Sequence, residues 1–283
     1  FSQPGSHWDG DVFATTQQFD GVRDRQAVGL DARYLTSHLS LIGLVDYDTS
    51  YRSLNAATLM GTVALPARWN VSFDAERRNA PVLTTYNALI GQPFTTLTQL
   101  EQVYSLGQIY QLALARTAVT TNYSVTATHP LGERFQFATI VAATQIGATK
   151  ALGGVPAQSG TGLDLTYQAQ LYASGLWRTG DFNLLTVGYG NTEIGKIESA
   201  AASSRFPLGT AWRIGPRLTI ERNTITADSS TETTYIPSML LDCERTRWLF
   251  QVEFGGELGK RDTLLQTQDT KRYYVSMTYR INF

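Results

Sequence analysis

At 283 residues, 42% of them hydrophobic and with a mean hydropathy of −0.17, the chain has room for two ordinary domains or one large closed sheet. No run approaches the roughly 20 apolar residues that a membrane helix needs, so a helical membrane protein is excluded. The formal net charge of −1 excludes bulk attraction to nucleic acid or another polyanion, and the one cysteine, Cys243, excludes an intrachain disulfide and a cysteine-rich metal centre.

Strand periodicity organises the chain. It opens at Phe1 with neither Met nor a signal peptide, which reads as a mature protein or an excised piece. Residues 1–8 show no period and read as a lead-in, and 9–19 make a weak first strand. From Arg25 the pattern sharpens. Val28, Leu30, Ala32 and Tyr34 share one face, and after a turn at Thr36–His38 so do Leu39, Leu41, Gly43, Val45 and Tyr47. Beyond 51–55 come Ala57, Leu59, Gly61 and Val63, and Pro66-Ala67 turns the chain into Trp69, Val71, Phe73 and Ala75.

Residues 79–117 break this rhythm. Pro81 and Pro93 exclude a regular central strand, and from Thr95 the spacing becomes helical: Leu97, Leu100, Val103 and Tyr104, then Ile109, Leu112 and Ala113. Thr95 or Thr96 is the expected cap, and Gly107 the expected divider of two short helices. A loop of this length inside a compact fold is functional or disordered.

Alternation returns over 118–127 and runs back over 134–146. After a Gly- and Ala-rich loop at 148–162, Leu163, Leu165, Tyr167, Ala169 and Leu171 form a clean eighth strand. Two weaker strands, at 182–191 and about 199–208, lead to an eleventh marked by Leu218 and Ile220. Tyr235 to Cys243 and Trp248 to Leu258 mark the next two. The last strand ends the chain: Tyr273, Val275, Met277, Tyr279, Ile281 and Phe283 on one face, Arg272, Tyr274, Ser276, Thr278, Arg280 and Asn282 on the other.

The count is about fourteen strands, near the roughly 9–11 residues that cross a hydrocarbon layer when tilted, against about 5–6 in a soluble sandwich. Short connections (36–38, 66–68, 129–133, 179–181, 245–247) alternate with longer ones (20–25, 51–55, 79–117, 147–162, 190–198, 226–233, 259–270). Outer-membrane barrels have that asymmetry, with the short turns periplasmic. The expected fold is therefore all-β: one transmembrane up-and-down antiparallel β-barrel spanning residues 1–283, with a long, partly helical loop.

Phe283, Ile281 and Tyr279 at alternate positions resemble the C-terminal signature of Gram-negative outer-membrane β-barrels. That resemblance implies location in the bacterial outer membrane, recognition by the barrel-assembly machinery, and contact with outer-membrane lipids and lipopolysaccharide. The lead-in and the RWLFQVEFGGELG strand, Arg247 to Gly259, resemble the C-terminal barrels of large outer-membrane proteins that carry a periplasmic tetratricopeptide-repeat scaffold, exopolysaccharide-export porins among them. This implies a periplasmic repeat scaffold or partner subunit. No repeat scaffold lies in this sequence.

Catalysis finds little support. His7, His38 and His129 fall in the lead-in or in short turns and read as solvated turn histidines, with no Ser-His-acid arrangement and no zinc spacing. No enzyme activity, cofactor or metal is expected. Cys243 reads as a small apolar residue facing lipid. The polar phase is more informative. Asp46, Asp48, Asp74, Glu76, Asp164, Glu253 and Glu257 point to the lumen with a smaller set of arginines, Arg272 and Arg280 among them, while other basic residues lie in connections. Such carboxylates either favour cations in a confined pore or pair with arginines across strands to stiffen the wall.

The 79–117 segment is expected to plug the lumen, lie across the mouth, or form a mobile loop. Leu97, Leu100, Tyr104, Ile109 and Leu112 are its candidate gate residues. The expected function is an outer-membrane channel or export conduit for a hydrophilic solute or polymer, gated by this segment. The alternative is a non-conducting membrane anchor for a periplasmic scaffold or partner complex.

Overall fold

Period-two alternation gives each strand one apolar and one polar face, and backbone pairing between neighbours then fixes the register. In the computed structural model, which describes residues 7–19, 21–263 and 266–281, fourteen strands form one antiparallel sheet whose spatial order is the chain order. They are β1 Trp8–Phe19, β2 Val22–Leu35, β3 Leu39–Asp48, β4 Ser53–Ala64, β5 Asn70–Ala80, β6 Ala118–Leu131 and β7 Phe135–Ile146. After these come β8 Asp164–Ser174, β9 Phe182–Thr192, β10 Gly195–Leu208, β11 Trp212–Ile225, β12 Thr231–Arg245, β13 Trp248–Asp262 and β14 Thr267–Ile281. The chain forms two compact units, residues 1–125 with 142–164, and residues 126–141 with 165–283.

No described helix is long and apolar enough to cross a membrane. The apolar phase is instead carried on the outside of strands. In β14, Tyr273 is 79% and Met277 71% exposed, and in β9 and β13 Leu185 and Phe254 are half-exposed. A soluble protein rarely leaves so continuous an apolar face open to water. An even number of antiparallel strands in chain order, each with one lipid-ready face, is the transmembrane up-and-down β-barrel plan. Tyr279 and Ile281 stand on this phase, opposite Phe250 and Trp248. Phe283 lies outside the described residues.

The regular alternation of short and long connections does not hold. β1 and β2 nearly abut, β9 and β10 are joined by Glu193-Ile194 alone, and the long connections are essentially 81–117 and 147–163. Strands run past the apolar belt because polar side chains continue the ladder beyond it. Gly188 and Gly190 lie inside β9, facing Ser199 and Ile197 across the pair. Trp8, expected in the lead-in, belongs to the first strand, and residues 1–6 of that lead-in lie outside the described residues.

Two prolines sit in strand interiors. The β10–β11 register passes from Ser203↔Arg217 to Phe206↔Ile214 across Pro216, and β12–β13 passes from Tyr235↔Leu258 to Ser238↔Gly255 across Pro237. Proline lacks the N–H that one ladder needs, so each interrupts pairing on one side only. Cys243 is 2% exposed, flanked in register by Trp212 and Phe250, so it is covered instead of facing lipid as expected.

Candidate functional site

The segment between β5 and β6 folds on itself. A 3-10 turn spans Thr85–Leu89, α1 spans Leu97–Glu101 and α2 spans Leu106–Arg116. Thr96 caps α1, its hydroxyl accepting from the Gln99 N–H at 3.3 Å. Ser105 and Gln108 form a capping box that starts α2. Gly107 thus lies in the first turn of α2, and the helices part at 102–105. A reciprocal cap satisfies the free N–H groups of a new helix, which outweighs the weak breaking tendency of one glycine.

The candidate gate residues Leu97, Leu100, Ile109 and Leu112 are fully buried, and Tyr104 packs on them. Their partners are Leu83 and Ala88 within the segment, together with Val22 and Tyr51 at the β1–β2 and β3–β4 connections. Each fully buried aliphatic side chain contributes about 1.5–3 kcal/mol. These residues are therefore the core of a small cap seated on the long-connection ends of the first strands.

Polar bonds fasten that cap. Asp24 Oδ1 accepts from both the backbone N–H and the hydroxyl of Thr85, at 2.7 and 2.6 Å. The Tyr110 hydroxyl donates to the Arg23 carbonyl at 2.8 Å. Asn87 Nδ2 donates to Val82 O and to Thr117 Oγ1. Arg116 is buried, with Nε donating to Ile90 O at 3.1 Å and Nη2 to Leu152 O, and Gln92 Nε2 reaches Gly153 O at 2.7 Å. The 147–163 connection is thereby tied to the cap. Burial lowers the Arg116 pKa and raises those of Tyr51 and Tyr110, whose rings lie 4.7 Å apart.

Below the cap, the polar phase begins with a charge network. Arg25 bonds Asp46 and, at 3.2 Å, the fully buried Asp48. Asp48 also accepts from the Ser50 and Tyr51 N–H groups, at 2.9 and 3.1 Å. Asn55 Nδ2 donates to Asp46, and Asn79 Nδ2 to Asn55. Asp46 and Asp48, expected on the lumen phase either to favour cations or to pair with arginines, take the second course with Arg25 and brace the ends of β2–β5. Arg25 lies three residues inside β2, which begins at Val22, within the stretch 20–25 that the sequence marks as a connection.

The same pairing recurs in the second unit. Arg205 makes a bidentate contact with the fully buried Asp242, at 3.2 and 2.5 Å, and Arg213 Nη1 reaches Glu244 at 2.6 Å. Both arginines are strand residues on the polar phase: Arg205 lies within the strand expected at about 199–208, and Arg213 lies in β11 ahead of the Leu218 and Ile220 that mark that strand in the sequence. For Arg213 the signal is the two-residue phase running back from Arg217 through Gly215.

Other expected lumen residues are more open. Glu76 accepts from Asn122 Nδ2 at 3.2 Å and lies 3.6 Å from Arg78. Glu253 accepts from the Tyr274 hydroxyl at 3.1 Å, and Glu257 lies 3.8 Å from Arg272. Asp74 faces Met60 in register, Arg280 faces Leu249, and Asp164 opens β8.

The register also zones the charge. On β1–β5 the polar phase holds Asp9, Asp11, Asp31, Asp46, Asp48, Asp74 and Glu76 against Arg25, Arg33 and Arg78. On β10–β14 it holds Glu221, Glu232, Asp242, Glu244, Glu253 and Glu257 against Arg205, Arg213, Arg217, Arg261, Arg272 and Arg280. The acidic surplus belongs to the first strands, while the last are balanced.

His7 Nδ1 lies 2.9 Å from Leu35 O, His38 is in the β2–β3 turn, and His129 is near the end of β6. Among the described residues, no group of His, Cys, Asp and Glu is arranged to hold a metal ion.

No protein-family model and no curated protein matches the chain. Solved structures do. A loop L8 deletion mutant of OmpT, an outer membrane protein of Vibrio cholerae, is 8% identical with a TM-score of 0.36, covering 95% of this chain and 100% of that one. In-vitro folded OmpT from the same organism is 8% identical with a TM-score of 0.38, covering 97% of this chain and 95% of that one. An anion-selective porin from Comamonas acidovorans is 10% identical with a TM-score of 0.27, covering 97% and 98%.

Proposed function

We propose that this chain is an outer-membrane channel or export conduit for a hydrophilic solute or polymer, an exopolysaccharide being the polymer in view, with residues 79–117 closing its mouth. Its alternating strands and lipid-ready apolar phase suit the bacterial outer membrane. The polar phase would line the path. One observation carries the gating half: the 79–117 segment is a folded cap with its own core, fastened by Asp24–Thr85 and Tyr110–Arg23 where the β1–β2 and β3–β4 connections meet.

Planar-bilayer recording tests this reading. The full chain should give small or infrequent openings, and a variant with 82–116 replaced by a short Gly-Ser turn should give larger, stable steps. If the deletion variant folds, as heat-modifiable migration on gels would report, yet remains silent, the chain is a non-conducting anchor instead.

A further inference from the structure

The apolar phase of β2–β5 has a hollow that the chain does not fill. Gly43 in β3 and Gly61 in β4 both lie on this phase, and they are treated differently. A Cβ added at Gly61 would lie 2.6 Å from the Phe73 ring and 2.7 Å from Leu41, so those side chains already occupy its space. At Gly43 the nearest atom, Leu59 Cδ1, is 3.8 Å away. The result is a groove of about 430 Å³, floored by Gly43, Ala57 and Ala75 and walled by Leu30, Leu59 and Tyr123. Its volume is within the usual range for small-ligand sites.

One cation stands at the end nearer the long connections. Arg77 lies on the same phase, opposite Ala57, and its Nη1 donates to Leu54 O at 2.9 Å. Among the described residues, no carboxylate lies within ion-pair reach of it. An apolar groove facing hydrocarbon fills with hydrocarbon, and a guanidinium at the boundary draws an anion, with phosphate matching its forked donors well.

We propose that this groove binds a phosphate-bearing lipid, one acyl chain lying along Gly43, Ala57 and Ala75 and the phosphate held by Arg77. The proposal rests on the apolar phase facing a membrane, as in the function above, but not on conduction. A phosphorylated lipid satisfies both the apolar floor and a cation with no carboxylate partner among the described residues.

The test is native mass spectrometry of the full chain in detergent, titrated with dipalmitoyl phosphatidic acid. Dipalmitoylglycerol supplies the chains without the phosphate, and inorganic phosphate the reverse. One phosphatidic acid should be retained per chain, with neither control held. Arg77→Gln should weaken retention about tenfold, the worth of one charge-assisted hydrogen bond. Arg77→Lys should restore most of it, which loss of a merely structural bond to Leu54 would not predict. Gly43→Leu, whose Cβ would meet Leu59 Cδ1 only at the ordinary contact distance of 3.8 Å, should abolish retention in a folded chain and so carries the test if Arg77→Gln misfolds.

Retention of dipalmitoylglycerol equal to that of phosphatidic acid, or wild-type retention by Gly43→Leu, would overturn the proposal. A silent channel with intact lipid retention sinks the conduit reading alone. Lost lipid selectivity with normal conductance sinks this one alone.

Discussion

At the scale of single residues, a few carboxylates fix the connections. Asp181 accepts from the N–H groups of Leu176, Trp177 and Arg178 at 3.0, 2.6 and 2.9 Å, closing the β8–β9 turn and presenting Trp177, which is 75% exposed. Burial pushes the Asp181 pKa up, but the backbone N–H groups of Arg178, Trp177, Leu176 and Gly175 outweigh it, and the net pKa is below the ordinary value. A depressed folded pKa gives stability that is present above the unfolded value, about 3.9, and is lost as pH falls through the folded one. Asp181→Asn should therefore be less stable than the parent near neutrality, with the gap closing below about pH 4. Reversible urea unfolding in lipid vesicles across that range checks this, and a gap independent of pH would contradict it. Thr85→Val removes one of the two donors to buried Asp24 and should loosen the cap, at a cost of about 1–3 kcal/mol. Faster limited proteolysis within 82–116, with the strands intact, is the expected readout.

At the scale of elements, the strand phase makes a sharper demand. Leu185 and Phe254 are half-exposed on the apolar phase, whereas Gln168 and Gln251 lie on the polar one. Leu185→Arg and Phe254→Arg should each cost about 2–4 kcal/mol in a bilayer, because a cation at mid-depth loses its hydration. Gln168→Arg and Gln251→Arg should cost far less. Equal costs in reversible unfolding would mean the phase or the membrane reading is wrong. The helices follow another rule. Leu97, Leu100, Ile109 and Leu112 are spaced for a helix in the sequence, and the spacing correctly signals one buried stripe. It carries no word of what covers that stripe, because Val22 and Tyr51 are distant in the chain.

For the whole molecule, the charge zoning refines the selectivity expected of a conduit. If the polar phase lines a pore, its cation preference should come from β1–β5, where Asp9, Asp11, Asp31, Asp74 and Glu76 face only a few arginines. Neutralising Asp74 and Glu76 in the cap-deleted variant should weaken that preference, most visibly at low salt, where screening reaches less far. Neutralising Asp46 and Asp48 should destabilise the chain more than it alters selectivity, because both are tied to Arg25. Reversal potentials under a salt gradient, with thermal unfolding of the same variants, separate these outcomes. An anion-selective cap-deleted pore would reject the electrostatic argument.

The sequence by itself determined a strand count of about fourteen, the phase of the cleanly alternating strands and the position of the helical interruption. Each of these is local: a period of two or of 3.6 is written in neighbouring residues, from Leu163–Leu171 to Tyr273–Ile281. Only the tertiary structure decided where strands end and which charges are neutralised. Arg25 meets Asp46 and Asp48, and Arg205 meets Asp242, across distances in sequence that no period records. The tertiary structure also gave the 79–117 segment a seat on Asp24, Arg23 and Tyr51, and left the space beside Gly43 open while Phe73 fills the one beside Gly61. Pairing register and side-chain reach set these contacts, and both depend on which strands become neighbours and how far each one runs.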